Sequence, residues 1–312
     1  IEEVGEDLVR VSGALGRPRP DSLKLCVTYA DQFRGGTYMS FYGIDAAKKA
    51  EAMSEAIFCA ARASFGELGM PDFSETSVEI MGAGSQLGVS APEDAPLEVV
   101  MKIAAKHPMA QGIGVMLREA TGLGLATPPG LSGFAGSRPS PSPVVRLFSG
   151  LVAREEVSVA VELDGEPVVY TEPTPDLAGV ASIDVHDAPA HDTLEDTVPV
   201  PLIKLAWGRS GDKGNKANIG IIARKPEYYP ILCQALTADG VAQRFAHFLG
   251  SGEAGVVQRF QLPGSHAINF LLDNVLGGGG VASLRNDPQG KGFAQLLLLA
   301  TVDIPVSMAE GM

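Results

Sequence analysis

Between Trp207 and Gly220 the chain crowds glycines, both signs of charge and amide side chains together, as Trp207-Gly208-Arg209-Ser210-Gly211-Asp212-Lys213-Gly214-Asn215-Lys216-Ala217-Asn218-Ile219-Gly220. Glycines permit positive φ and let backbone N–H groups turn towards a ligand, while Arg209, Lys213 and Lys216 supply cations for an anion. Residues 202–207 and 219–223 are apolar enough to be strands, so the polar residues sit where the chain turns over between them. The stretch reads as an anion-binding loop in which Arg209, Ser210, Gly211, Asp212, Lys213, Gly214, Asn215 and Asn218 could all reach one small ligand. A long polar hairpin turn is the plainer alternative.

A second cluster follows downstream, where His266 and Asn269 lie between Leu262 and the glycine run Gly277-Gly278-Gly279-Gly280. Read as a strand, His266, Ile268 and Phe270 share one face and Asn269 takes the other; read as a helix, His266, Asn269 and Asp273 line up. A histidine among apolar neighbours is also a common core residue. The pairs His186-Asp187 and His191-Asp192 have the donor types of a zinc or iron site, but Pro189 prevents a helical pair, and a solvated linker is the expectation. Cys26, Cys59 and Cys233 are far apart and flanked by apolar residues, which suggests buried free thiols in a reducing compartment.

Composition narrows the partners. The formal charge of −13 and the pI near 4.8 leave no basic stripe for nucleic acid. No apolar run approaches a bilayer span, and Ile1-Glu2-Glu3-Val4 starts no signal peptide, so the expectation is a cytoplasmic protein, or a mitochondrial-matrix one in a eukaryote. The missing initiating Met suggests a chain trimmed or cut from something longer.

The elements that must position these residues form two sets. After a linker-like lead-in over 1–21, residues 23–28 alternate as a strand, 45–68 repeat apolar positions at three and four as a helix, and 77–81 and 97–104 are strands. A helix opened by Pro108, and a strand over 144–148, complete the order strand, helix, strand, strand, helix, strand of a ferredoxin-like sandwich. The proline-rich stretch 122–143, which carries Gly133-Phe134 and Arg138, is expected to be a lid, and a hairpin turning at Asp164-Gly165 could extend the sheet. An acidic, proline-rich linker over 171–201 then separates the domain at 22–170 from a second at 202–305, with a tail over 306–312. In the second domain a helix over 226–249 breaks near Thr237, which caps its second half; strands are expected at 256–260 and 283–285, and a helix from Asp287-Pro288 to Leu298. The fold class expected is α+β, two ferredoxin-like domains with antiparallel sheets. Gly82-Ala83-Gly84-Ser85-Gln86-Leu87-Gly88 follows a strand, but Pro92 and Pro96 deny it the helix that a dinucleotide site requires.

Arg209-Ser210-Gly211-Asp212-Lys213-Gly214-Asn215, Ala217-Asn218-Ile219-Gly220, Asn269-Phe270, and Ser283-Leu284-Arg285 with Gly290-Lys291 together resemble the C-terminal ferredoxin-like domain of the acyclic terpene utilisation family. Upstream, Arg10-Val11-Ser12-Gly13, Gly16-Arg17-Pro18-Arg19-Pro20, Gly133-Phe134, Arg138-Pro139 and Val144-Val145-Arg146 resemble the latter part of that family's core region. The family's usual architecture places a larger α/β region ahead of these motifs. The resemblance implies a part in the breakdown of branched isoprenoids of the citronellol and geraniol type, beside acyl-CoA carboxylation and hydration. The leading expectation beside it is an enzyme or enzyme subunit acting on a branched acyl-CoA, with no cofactor other than the substrate's CoA moiety, the ligand held by Arg209, Lys213 and loop N–H groups with Asn269 and Arg138, while Asp212 or His266 moves a proton. The alternative is a non-catalytic assembly module that docks an acyl-CoA carboxylase subunit, the preceding α/β region or an identical chain; a homo-oligomer is expected.

Overall fold

A computed structural model of the chain describes residues 2–12, 19–133, 136, 139–171, 196–249 and 256–311. In chain order the elements are β1 (Glu2–Gly5), β2 (Leu8–Arg10), β3 (Ser22–Tyr42), α1 (Ala46–Leu68), β4 (Glu75–Met81), β5 (Glu98–His107), α2 (Ala110–Leu123), β6 (Leu131–Ser132) and β7 (Ser142–Ala153). There follow β8 (Val161–Leu163), β9 (Glu166–Val168), β10 (Thr197–Pro201), α3 (Leu202–Leu205), β11 (Ala206–Lys213), β12 (Lys216–Ala223), α4 (Tyr229–Ala235) and α5 (Ala238–Arg244). Last come β13 (Val257–Leu262), β14 (Ala267–Leu272), α6 (Phe293–Leu298), β15 (Thr301–Pro305) and α7 (Val306–Ala309). The chain divides into two compact units, residues 1–28 with 147–185 and residues 29–146 with 186–312.

The first unit contains two small antiparallel hairpins, β1–β2 and β8–β9, whose strand residues are exposed. The β8–β9 turn falls at Asp164-Gly165 as the sequence requires, with φ of 52° and 85°. It forms its own two-stranded sheet rather than extending a larger one.

In the second unit the first sheet runs β4-β5-β3-β6, and β7 also pairs with β3. That is the strand order of the expected ferredoxin-like sandwich. Alternation along β5 sends Val99, Met101, Ile103 and Ala105 to one face, where α1 and α2 cover them. On α1 the buried Ala46, Ala50, Met53, Ile57, Ala61 and Phe65 form the apolar stripe, which ends at Gly69 in the left-handed region. A Cβ on Gly35 would lie 2.4 Å from the Ile113 side chain, so this glycine lets α2 pack directly on β3. The first strand is far longer than residues 23–28, because β3 continues to Tyr42.

The second sheet runs β11-β12-β14-β13, all antiparallel, over its own core. Here β11, which precedes the β12–α–β13–β14–α6 series, takes the edge beside β12, while β15 leaves to pair with β10. Thr197–Pro201, expected to be the end of the linker, is therefore a strand. The helix does break at Thr237, whose hydroxyl accepts the Gly240 N–H at 3.0 Å. Residues 283–285 are not a strand, and the glycine-rich stretch after β4 becomes turns and a short 3-10 helix at Gly88–Ser90. Among the described residues no helix is long and apolar enough to cross a membrane.

Candidate functional site

The stretch 207–220 is a tight hairpin rather than an open loop. Arg209 to Lys213 pair residue by residue with Gly220 to Lys216, leaving Gly214-Asn215 as the turn. Alternation then splits the expected site between two faces. Ser210 points to the helix side and is buried, accepting the Ala294 N–H at 2.9 Å and donating to the Lys291 carbonyl at 3.2 Å. Asp212 shares that parity. Arg209, Gly211, Asn218 and Asn269 come together on the opposite, helix-free face, where Asn218 Nδ2 donates to Asn269 Oδ1 at 3.4 Å.

The turn itself is locked by structural contacts. Asn215 bonds Asn274 at 2.9 Å and the Gly278 N–H at 2.7 Å, Lys216 pairs with Asp273 at 2.6 Å, and Lys213 donates to the Asp212 carbonyl. A Cβ on Gly279 would fall 2.0 Å from the Gly214 carbonyl oxygen, so the glycine run exists to let the turn pack against it.

Register keeps Asp212 and His266, the two alternative proton carriers, far apart. Asp212 lies opposite Ala217 and hence beside Leu272, whereas His266 precedes β14 at the other end, about 20 Å away at about 3.4 Å per residue. His266 is exposed, adopts a φ of 50°, and meets the Tyr229 ring edge-on at 5.8 Å. Arg138, His186, Asp187, His191 and Asp192 lie outside the described residues. Cys26 and Cys59 are exposed rather than buried; Cys233 is buried.

A different cluster is built on the first sheet, on the face away from α1 and α2. Register places three rows across β3, β5 and β4: Arg34, Lys106 and Glu75; Gly36, Ala104 and Ser77; Tyr38, Lys102 and Glu79. Lys106–Glu75 and Lys102–Glu79 are cross-strand ion pairs at 2.6 Å, with Lys102, Lys106 and Glu79 buried. The middle row is small, so it forms a floor between the two charged rows.

Residues 283–286 lie over this face. Arg34 donates to the Ser283 carbonyl at 2.6 Å, Lys102 to the Leu284 carbonyl, and the Asn286 N–H to Glu79 at 2.7 Å. Tyr38 donates to Asn286 Oδ1 at 3.1 Å, and Gln86 donates to the second Glu79 oxygen at 2.7 Å. Arg285 donates from Nη1 to the Val275 carbonyl and from Nη2 to the Phe248 carbonyl, and lies 5.1 Å from the Phe248 ring. Arg34, Tyr38, Lys102 and Ser283 to Asn286, with Ser140 and Ser142, line a cleft of about 400 Å3, within the ~300–1,000 Å3 of small-molecule sites.

The electrostatics of the cleft are unbalanced. Burial pushes Arg34, Lys102 and Arg285 below their ordinary pKa values, offset in part by Glu79 at Lys102 and by Glu79 and Glu75 at Arg285. Burial, helped by Glu79, raises Tyr38 and keeps its hydroxyl protonated. Since Lys106 is matched by Glu75, three cations face the single carboxylate of Glu79. A second opening of about 670 Å3 shares Thr37 and Tyr38 with the cleft and is walled by Met39, Leu117, Ala120 and Pro139.

Comparison with known proteins adds the family. The model of the acyclic terpene utilisation family protein AtuA matches residues 1–163, over half of the chain, and that of the AtuA ferredoxin-like domain matches residues 200–303. The chain belongs to the acyclic terpene utilisation family. No curated protein and no solved structure matches it. In this family member the cleft draws on both matched regions, with Arg34, Tyr38 and Lys102 from the first and Ser283 to Asn286 from the second. Sequence reasoning missed it, although two signals were legible: a lysine inside the apolar run 97–104, and a glutamate inside the strand 77–81.

Proposed function

We propose that this chain contributes to acyclic terpene utilisation by binding the anionic end of a branched isoprenoid acid, or of its CoA thioester, in the cleft over Gly36 and Ala104. The observation that carries this reading is the charge excess: Arg34, Lys102 and Arg285 converge with one carboxylate among them, in a chain of net charge −13. Partly desolvated cations bind a carboxylate or phosphate more strongly than surface ones, because less water competes. The protonated Tyr38 hydroxyl can serve a bound oxyanion by turning its one hydrogen from Asn286 Oδ1 to the ligand. The opening beyond Thr37 and Tyr38, with Met39, Leu117 and Ala120 on its wall, suits a branched apolar tail.

Calorimetry with geranate and its CoA thioester tests this. Arg34→Ala should weaken binding at least tenfold, and so should the paired variant Lys102→Met with Glu79→Gln, which removes the buried ion pair without leaving an orphan charge. Unchanged affinity in both variants would overturn the proposal. A second reading, an assembly module, is favoured by the helix-free face of the second sheet, where Ile222, Phe260 and Leu262 are exposed. It predicts that Phe260→Lys abolishes co-purification of a partner or second copy and leaves geranate binding intact; retained co-purification would dismiss it.

A further inference from the structure

We infer that the groove beside Trp207 is a second binding site, for a phosphorylated purine nucleotide. It has a volume of about 540 Å3 and is lined by Ile203, Lys204, Trp207, Arg224, Lys225 and Tyr228, with Gly311 at its edge, none of which borders the cleft over Gly36. Two halves of a ligand are written into these residues.

The first half is planar. Trp207 is the only tryptophan in the chain, and half of its surface is exposed. The Arg224 guanidinium lies 4.7 Å from its ring, fixed by a hydrogen bond to the Ile203 carbonyl at 2.8 Å and by the Arg224 N–H to the Leu205 carbonyl at 2.9 Å. An arginine held this way is already organised, and because its guanidinium lies over the indole, the outer face of that stack is a platform for a flat heterocycle. Tyr228, itself buried, backs the groove, with the Lys225 ammonium 5.5 Å from its ring centre.

The second half is anionic. Lys204, Arg224 and Lys225 bring three positive charges to the groove, and among the described residues no acidic side chain lines it. Glu227 reaches Lys225 only at 4.0 Å with both side chains half exposed, a pairing that solvent screens. Inorganic phosphate would leave the exposed indole unused, and a neutral ring would leave the ammonium groups unused. A purine carrying phosphate uses both, and base stacking on an aromatic side chain tolerates different bases.

Because Trp207 is the sole tryptophan, its emission reads this groove directly when excited at the red edge, where purines are transparent. The full chain is titrated with 5′-ADP, with 3′,5′-ADP as the nucleotide end of coenzyme A, with adenosine and with inorganic phosphate, and calorimetry checks the same additions. Saturable quenching by a nucleotide, at least tenfold tighter than by adenosine or phosphate, is expected. The better of the two nucleotides tells a free nucleotide from a coenzyme end. Lys225→Gln, an exposed change that leaves the fold alone, and Arg224→Gln should each weaken it about tenfold, while Arg34→Ala leaves it unchanged. Absence of both quenching and heat, an equal response to phosphate alone, or indifference to both groove variants overturns the proposal. Since the two openings share no residue, failure here and failure at the Arg34 cleft are separate results.

Discussion

The two antiparallel sheets of the second unit share a plan and differ in what they do with the face their helices leave bare. In the first, that face carries Arg34, Lys106 and Glu75 in one row and Tyr38, Lys102 and Glu79 in another, and residues 283–286 lie over it. In the second, Trp207, Ile222, Ala267 and Leu262 form one row and Arg209, Gly220, Asn269 and Phe260 the next, with no helix of the described residues packed across them. Both sheets hold their helices by the same period-two alternation. The bare faces, which the fold does not need for its cores, are where charge and exposed aromatics collect.

This contrast makes substitutions on the two faces unequal. Lys102→Met alone should cost about 3–5 kcal/mol, because it strands Glu79 in a buried position, and most of that loss should return when Glu79→Gln is added. Denaturant unfolding of the single and double variants measures it.

Tyr229, under the second sheet, gives an intermediate effect. Burial, aided by the neighbouring Cys233, raises its hydroxyl from an ordinary 10.0 to about 12. Between those values the unfolded chain has lost a proton that the folded chain keeps, so stability is intact below pH 10 and falls as pH rises towards 12. The loss should be no more than about 2–3 kcal/mol, and Tyr229→Phe should flatten that part of the stability profile. A profile already flat in the unmodified chain would contradict the assigned shift. Arg209→Ala on the bare face of the second sheet should cost the least, within about 0.5 kcal/mol, as read by thermal unfolding. A cost comparable to that of Lys102→Met would erase the contrast.

Much of this fold was legible because alternation and helical periodicity act locally. The apolar positions of α1, the Thr237 cap and the Asp164-Gly165 turn all follow from neighbours in sequence. The length of β3 was not legible, because Gly35 and Gly36 interrupt the pattern while serving close approaches to Ile113 and to β5. The candidate site was misread for a related reason. Glycines and charges over 208–216 resemble a ligand loop, yet register turns them into a hairpin whose turn packs on Gly279. Arg34, Lys102 and Asn286 are brought together by pairing across scores of residues, which no local spacing reveals.

The most direct test of the Arg34–Lys102 cleft is a crystal structure of the chain grown with geranate. The carboxylate should lie within hydrogen-bonding distance of Arg34 and Lys102, above Gly36, with the branched tail towards Met39 and Leu117. Ligand density on the Arg209–Asn269 face instead, or an empty cleft at saturating geranate, would contradict the account.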